Sequence, residues 1–92
     1  MNGQNTLQAL ASKYVWWQAP EVTLARRWHF LCQMMSLGTL EDMRTVRRLL
    51  GDEAMIDALE HAPPGVMDPK SWNFWHLFFG RPVPPLPVRP LP

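Results

Sequence analysis

The chain has 92 residues, of which 47% are hydrophobic, with five tryptophans and a formal net charge of +1. This length allows one domain, and a charge so near zero does not by itself indicate a nucleic-acid or membrane partner. The single cysteine, Cys32, excludes an intramolecular disulfide and a cysteine-based metal site. The N-terminus lacks a signal-peptide pattern and no run of about 18 apolar residues occurs, so we expect a cytoplasmic protein without a membrane span.

The N-terminal segment, residues 1–13, reads as a polar start followed by a short helix. Thr6 can cap this helix, and the apolar residues of 7–11 recur at i, i+3 and i+4. Residues 14–17, Tyr-Val-Trp-Trp, are aromatic and β-branched, which favours an extended segment with one tryptophan turned inward as an anchor. The alternative is that both tryptophans cover the core.

Residues 22–37 carry the clearest helical pattern in the chain. Trp28, Leu31 and Met35 belong to a stripe of apolar residues at helical spacing, which predicts one long helix with this stripe buried. Gly38 follows as a natural C-terminal stop.

Two further helices are predicted on either side of Gly51. Thr39 can cap the first, and Leu40 begins its expected buried stripe. Asp52 can cap the second, which ends in the Pro- and Gly-rich run of residues 61–65.

Three arginines, Arg44, Arg47 and Arg48, share another face of the first of these two helices. Two helices joined by a glycine turn loosely resemble a helix-turn-helix, in which these arginines would contact phosphates of DNA. The second helix is acidic and would repel DNA, however, and a solvated arginine face is the alternative.

Residues 67–80 are predicted to form an aromatic helix, with Asp68 as its cap and Gly80 at its end. Its aromatic residues fall into two rows, one with Trp72, Trp75 and Phe79 and the other with Phe74 and Phe78. A helix that is apolar over most of its circumference is normally buried. We therefore expect the rest of the chain to be organised around it, or a partner to complete its cover.

The C-terminal tail, residues 81–92, contains six prolines and otherwise only Arg, Val and Leu, so it should be polyproline II or disordered. Residues 81–87 fit the pattern R-x-x-P-x-x-P, and residues 84–89 fit P-x-x-P-x-R. A tail of this kind can dock in the aromatic groove of a proline-binding domain or strap across a partner. A stiff spacer is the alternative.

No pattern in the sequence indicates catalysis. There is no Gly-rich phosphate loop, no His-x-x-His or Cys-x-x-Cys and no nucleophile elbow. Cys32 is expected to be a buried thiol and His76 a hydrogen-bonded or partly exposed imidazole among aromatic residues. We expect no enzyme, no metal and no cofactor.

Residues 14–80 resemble a small family of prokaryotic proteins that are often encoded beside nucleotidyltransferase-like toxins. The resemblance rests on Tyr14-Val15-Trp16-Trp17, Arg26 to Leu37, Gly38-Thr39-Leu40-Glu41-Asp42, Leu49 to Glu53, Ile56 to Leu59, Asn73-Phe74-Trp75 and Leu77 to Gly80. The chain departs from the family at Gln18, where an acidic residue is usual, and in its proline tail. The resemblance implies an antitoxin that binds such a toxin and holds it inactive.

Together these patterns predict an all-α domain of four or five short helices over residues 14–80, preceded by the segment 1–13 and followed by the tail. We expect a protein-binding module, with DNA binding or an adapter role for the tail as alternatives and self-association left open. The expected partner contacts are Trp72, Trp75, Phe78, Phe79, Arg81, Pro84, Pro87 and Arg89.

Overall fold

The computed structural model describes residues 3–88, and all regular structure within this range is helical. The helices are α1 Gly3–Tyr14, α2 Pro20–Ala25, α3 Arg27–Leu37, α4 Leu40–Leu50, α5 Asp52–Glu60 and α6 Pro69–Phe78. The predicted all-α class is confirmed, with six helices in the described range in place of the four or five expected. No helix in this range has the length and apolarity needed to cross a membrane.

The central element of the core is α3, which packs against α1, α2, α5 and α6. Five of its eleven residues are buried, namely Phe30, Leu31, Cys32, Met34 and Met35. No other helix in the described range has as many buried residues. The fold is therefore organised around α3, whereas the sequence had pointed to the aromatic helix α6.

The predicted single helix over residues 22–37 is wrong, because the chain breaks at Arg26. Arg26 has φ −98° and ψ 65°, outside the helical region, and closes α2 by donating its backbone N–H to the Thr23 carbonyl at 3.1 Å. The helix resumes as α3 when Phe30 donates to the Arg26 carbonyl at 2.9 Å. Apolar periodicity continues across the break, so the pattern by itself did not reveal it.

The break also places Trp28 at the surface. This residue lies in the first turn of α3 and is exposed, although it was predicted to be buried. Its indole N–H donates to a carboxylate oxygen of Asp57 at 2.8 Å. Its ring stacks on His61 with centroids 4.1 Å apart and an interplanar angle of 8°. Trp28 therefore links the start of α3 to the C-terminal half of α5 at the protein surface.

The expected extended segment at residues 14–17 is also wrong, because α1 continues through Tyr14 and a turn follows it. Val15 donates its N–H to the Ala11 carbonyl at 2.8 Å, so it falls on the buried side of α1. Trp16, at 78% exposure, and the exposed Trp17 lie outside the core and contact each other edge to face, with centroids 5.7 Å apart. Neither tryptophan is an inward anchor.

A hydrogen-bond network ties the end of α1 to the start of α4. The predicted cap is confirmed, because Thr39 Oγ1 accepts from the Asp42 backbone N–H at 3.1 Å. The Asp42 carboxylate accepts from Lys13 Nζ at 2.7 Å and from Tyr14 Oη at 2.5 Å, and Tyr14 Oη accepts from the Thr39 N–H. The hydrogen bond from Lys13, followed by that from Tyr14, holds the pKa of Asp42 below its usual value.

The turn between α4 and α5 differs from the prediction in one respect. Gly51, not Asp52, is the residue that precedes α5, and its φ of 86° is a conformation that favours glycine. Asp52 is the first residue of α5, and its carboxylate binds Arg47 instead of capping the helix.

Both predicted ends of α6 are confirmed. Asp68 Oδ1 accepts from the Ser71 N–H at 2.7 Å. At the other end, Gly80, with φ 67°, donates to Leu77 at 3.0 Å, and Arg81 donates to the His76 carbonyl at 2.9 Å. This pair of bonds is a Schellman motif, which ends the helix and turns the tail back toward the body of the protein.

Candidate protein-binding surface

One aromatic row of α6 belongs to the core. Trp72 and Trp75 are 3% and 6% exposed, and Phe79 is partly buried against the same cluster. The indole N–H of Trp75 donates to the Met35 carbonyl of α3 at 2.9 Å. Trp72 and Trp75, both predicted to contact a partner, are thus covered by the chain itself and offer a partner almost no surface.

The other row of α6 is turned away from the core. Phe74 and Phe78 are 54% and 46% exposed, and the neighbouring Leu77 is exposed as well. The two phenylalanine rings stack with centroids 5.9 Å apart and an interplanar angle of 22°. Phe74 also lies edge-on against the buried Trp75 at 5.0 Å. The exposed rings therefore rest on a rigid base.

The apolar surface continues from α6 onto the start of α4. Leu40 and Phe74 line a groove of about 320 Å³ whose rim includes Lys70. Leu40 was expected to be buried, but α4 turns Met43 and Val46 toward the core and leaves Leu40 exposed. We call Leu40, Phe74, Leu77 and Phe78 the exposed aromatic face.

Arg47 borders this face beside Phe78. Its Nε and Nη2 donate to the two carboxylate oxygens of Asp52 at 2.8 and 3.1 Å, and this bond holds the pKa of Asp52 below its usual value. Its guanidinium carbon lies 4.7 Å from the centre of the Phe78 ring. Arg44 and Arg48 are exposed on the same helix. A phosphate would have to compete with Asp52 for Arg47.

The described part of the tail lies against the protein's own body. Trp72 Nε1 donates to the Pro84 carbonyl at 2.8 Å, and the Gly65 N–H donates to the Pro87 carbonyl at 3.4 Å. Arg81 lies 3.6 Å from the Glu60 carboxylate. Three of the predicted partner contacts in the tail are thus engaged within the chain.

The fourth predicted tail contact, Arg89, lies outside the described residues.

Cys32 and His76 have the bonded, buried environments that the sequence indicated. Cys32 Sγ donates to the Ala58 carbonyl at 3.4 Å, and burial raises the pKa of its thiol to about 12. His76 is buried with Nδ1 2.8 Å from the Trp72 carbonyl oxygen. Within residues 3–88, no group of three or more His, Cys, Asp or Glu side chains could hold a metal ion.

Sequence reasoning missed Phe74, Leu77 and Leu40 as surface residues. Phe74 and Phe78 had been recognised as a separate row, and that offset was the only signal available in the sequence. The offset between the rows did not show which of them would face α3.

No protein-family model, curated protein or solved structure matches the chain. The resemblance of residues 14–80 to the toxin-associated family therefore stays a prediction.

Proposed function

We propose that this protein is a protein-binding module and that the exposed aromatic face is its contact surface. The observation that carries the proposal is the stacked, half-exposed pair Phe74 and Phe78 on a helix whose opposite side is anchored in the core. Contiguous apolar surface of this kind is uncommon on monomers and marks interaction sites. Aromatic residues on a rigid base lose little entropy when a partner covers them.

The chemistry of the face indicates what the partner presents. The groove beside Phe74 accepts an apolar side chain, and Lys70 places positive charge at its edge. The Arg47 guanidinium is already paired with Asp52 and lies over the Phe78 ring. Arginine beside an aromatic ring is a frequent feature of binding hot spots. The expected partner surface is an apolar ridge with a carboxylate placed to meet Lys70, as on an amphipathic helix that lies in a groove.

We further propose that the partner is a nucleotidyltransferase-like toxin and that binding holds it inactive. This proposal rests on the resemblance of residues 14–80 to proteins encoded beside such toxins. Two segments of that resemblance, Asn73-Phe74-Trp75 and Leu77 to Gly80, include the exposed row of α6. In this proposal these segments contact the toxin as well as packing on the core.

The geometry gives less support to the alternatives. DNA binding through Arg44, Arg47 and Arg48 would require Arg47 to leave its two-pronged bond with Asp52. An adapter role for the tail would require the carbonyls of Pro84 and Pro87 to leave Trp72 and Gly65. The exposed aromatic face needs no such rearrangement.

The test is a matched pair of truncations on the protein co-expressed with the product of the adjacent gene. Phe74→Ala removes a ring from the face, whereas Val22→Ala removes a similarly exposed apolar side chain from α2. We expect Phe74→Ala to weaken the complex by about 2 kcal/mol, or roughly 30-fold in Kd, because central aromatic contacts dominate binding. Val22→Ala should leave Kd within about twofold of the wild type.

Titration calorimetry on the purified pair gives Kd, and a nucleotide-transfer assay on the partner shows whether binding inhibits it. Circular dichroism confirms that both variants keep their helices. If Phe74→Ala and the wild type bind the partner with equal affinity, the exposed aromatic face is not the contact surface. If the protein binds the partner tightly without inhibiting its nucleotide transfer, the proposed antitoxin role is wrong and only the proposed role in protein binding is supported.

A further inference from the structure

The groove beneath the proline tail is a second site, distinct from the exposed aromatic face. Its walls come from the end of α5 and from α6, through Leu59, Glu60, Trp72 and His76. The Schellman turn at Gly80 reverses the chain and directs residues 81–88 along this groove in extended form.

Two backbone carbonyls of the tail are hydrogen-bonded to the groove, and they are three residues apart. Pro84 accepts from the indole N–H of Trp72 at 2.8 Å, and Pro87 accepts from the Gly65 amide at 3.4 Å. A polyproline II helix repeats every three residues or so, which places these carbonyls on one edge. The two donors, Trp72 and Gly65, are therefore spaced to match one turn of the polyproline II helix.

The same edge continues one turn further toward the N-terminus. Arg81, three residues before Pro84, lies 3.6 Å from the carboxylate of Glu60. Leu86 is partly buried and packs against the hydrophobic core, while Val83 and Val88 are exposed. Each element of the R-x-x-P-x-x-P pattern thus has a partner in the body of the protein.

The groove requires an acceptor for Trp72. With the tail in place only 3% of Trp72 is exposed, and its indole N–H donates to the Pro84 carbonyl of the tail. A buried donor that loses its acceptor without replacement by water destabilises a protein by about 1–3 kcal/mol. Proline-rich chains suit this donor, since their carbonyls make no internal hydrogen bonds and their conformation is already ordered.

We propose that this groove is a binding site for peptides in the polyproline II conformation with the pattern R-x-x-P-x-x-P, and that the protein's own tail is its resident ligand. The tail occupies the site at an effective concentration in the millimolar range, because it is tethered by a single turn. An external proline-rich peptide binds only when it displaces the tail. This site is independent of the exposed aromatic face and of any toxin.

The test uses a fluorescently labelled peptide with the sequence of residues 81–88, titrated by anisotropy against the full chain. Leu86→Ser removes the tail's apolar contact with the core and leaves the groove unaltered, so the tail should detach more often. Val88→Ser makes the same kind of change at an exposed tail position and is the matched control. We expect the peptide to bind Leu86→Ser at least about tenfold more tightly than the wild type or Val88→Ser, since cis occupancy reduces apparent affinity.

Two further variants in the Leu86→Ser background ask whether the peptide occupies this groove. Trp72→Phe removes the indole donor and should weaken peptide binding about tenfold. If Trp72→Phe does not fold, as judged by circular dichroism, Glu60→Ala removes the partly exposed partner of Arg81 and should weaken binding severalfold. Equal peptide affinity for the wild type and Leu86→Ser, or an affinity that neither groove variant alters, would overturn the proposal.

Discussion

Replacement of Trp75 by Phe gives a direct test of how α6 is attached to the core. The Trp75 indole N–H donates to the Met35 carbonyl in a buried bond of 2.9 Å. Met35 lies in the last turn of α3, where carbonyls lack helical partners. The N–H four residues later belongs to Thr39 and donates to Tyr14 instead. The indole is therefore the cap of this carbonyl.

The expected loss of stability has two parts. Leaving the buried Met35 carbonyl without a donor costs about 1–3 kcal/mol. The smaller phenylalanine ring also leaves space at a residue that is only 6% exposed, which adds roughly 1 kcal/mol. The sum is about 2–4 kcal/mol, and for a domain of this size each kcal/mol lowers Tm by about 4–8 °C. Trp75→Phe should therefore lower Tm by at least about 8 °C.

Trp16→Phe is the matched control, because the same chemical change is made at a side chain that is 78% exposed. It should alter the free energy of unfolding by no more than about 0.5 kcal/mol. Thermal melts followed by circular dichroism, with urea titrations to give free energies, compare the two variants. Equal losses, or a loss for Trp75→Phe below about 1 kcal/mol, would refute the account of the indole as a helix cap.

Two other predictions concern titrating groups. Tyr14→Phe removes a donor to Asp42, whose pKa is held low mainly by Lys13 and then by Tyr14, so the ionised carboxylate stabilises the fold. This stabilisation is present above the usual carboxyl pKa of about 4 and is lost as pH falls through the lower folded-state value. Urea titrations should show that Tyr14→Phe lowers stability by about 1 kcal/mol at pH 7 and by less at pH 3, and a loss that does not shrink at pH 3 would contradict the role of Asp42. Cys32, whose pKa burial raises to about 12, should react with a thiol reagent at pH 8 at least about 10³-fold more slowly than a small thiol, and rapid labelling of the folded protein would show that its burial is wrong.

The helix ends were predictable because their chemistry is local. Thr39 and Asp68 accept backbone N–H groups three residues ahead, and Gly80 ends α6 in a conformation that favours glycine. These bonds join residues that are neighbours in the chain, so residue type and spacing were enough to indicate them. The non-helical tail was predictable for the same reason, since proline lacks the N–H that a helix needs.

The candidate surface was only half predictable. Two aromatic rows of similar apolarity run along α6, and no local property distinguishes Trp75 from Phe74 as the inward side chain. Trp28 and Leu40 show the same limit, because each fits an apolar stripe yet lies at the surface. For Phe74 and Leu40 the outcome depended on how α6 and α4 pack on the other helices, and for Trp28 it depended on the break at Arg26.

From the sequence alone came the helical class, most helix ends and the extended character of the tail, all of which follow from hydrogen bonds and steric limits within a few residues. The tertiary structure decided which row of α6 remains exposed and that the tail lies on its own body. The reason is physical: Met35 and Trp75 are 40 positions apart, and Trp72 meets Pro84 across a chain reversal. Contacts of this kind exist only after helices have packed, when a fixed core presents each donor to one acceptor.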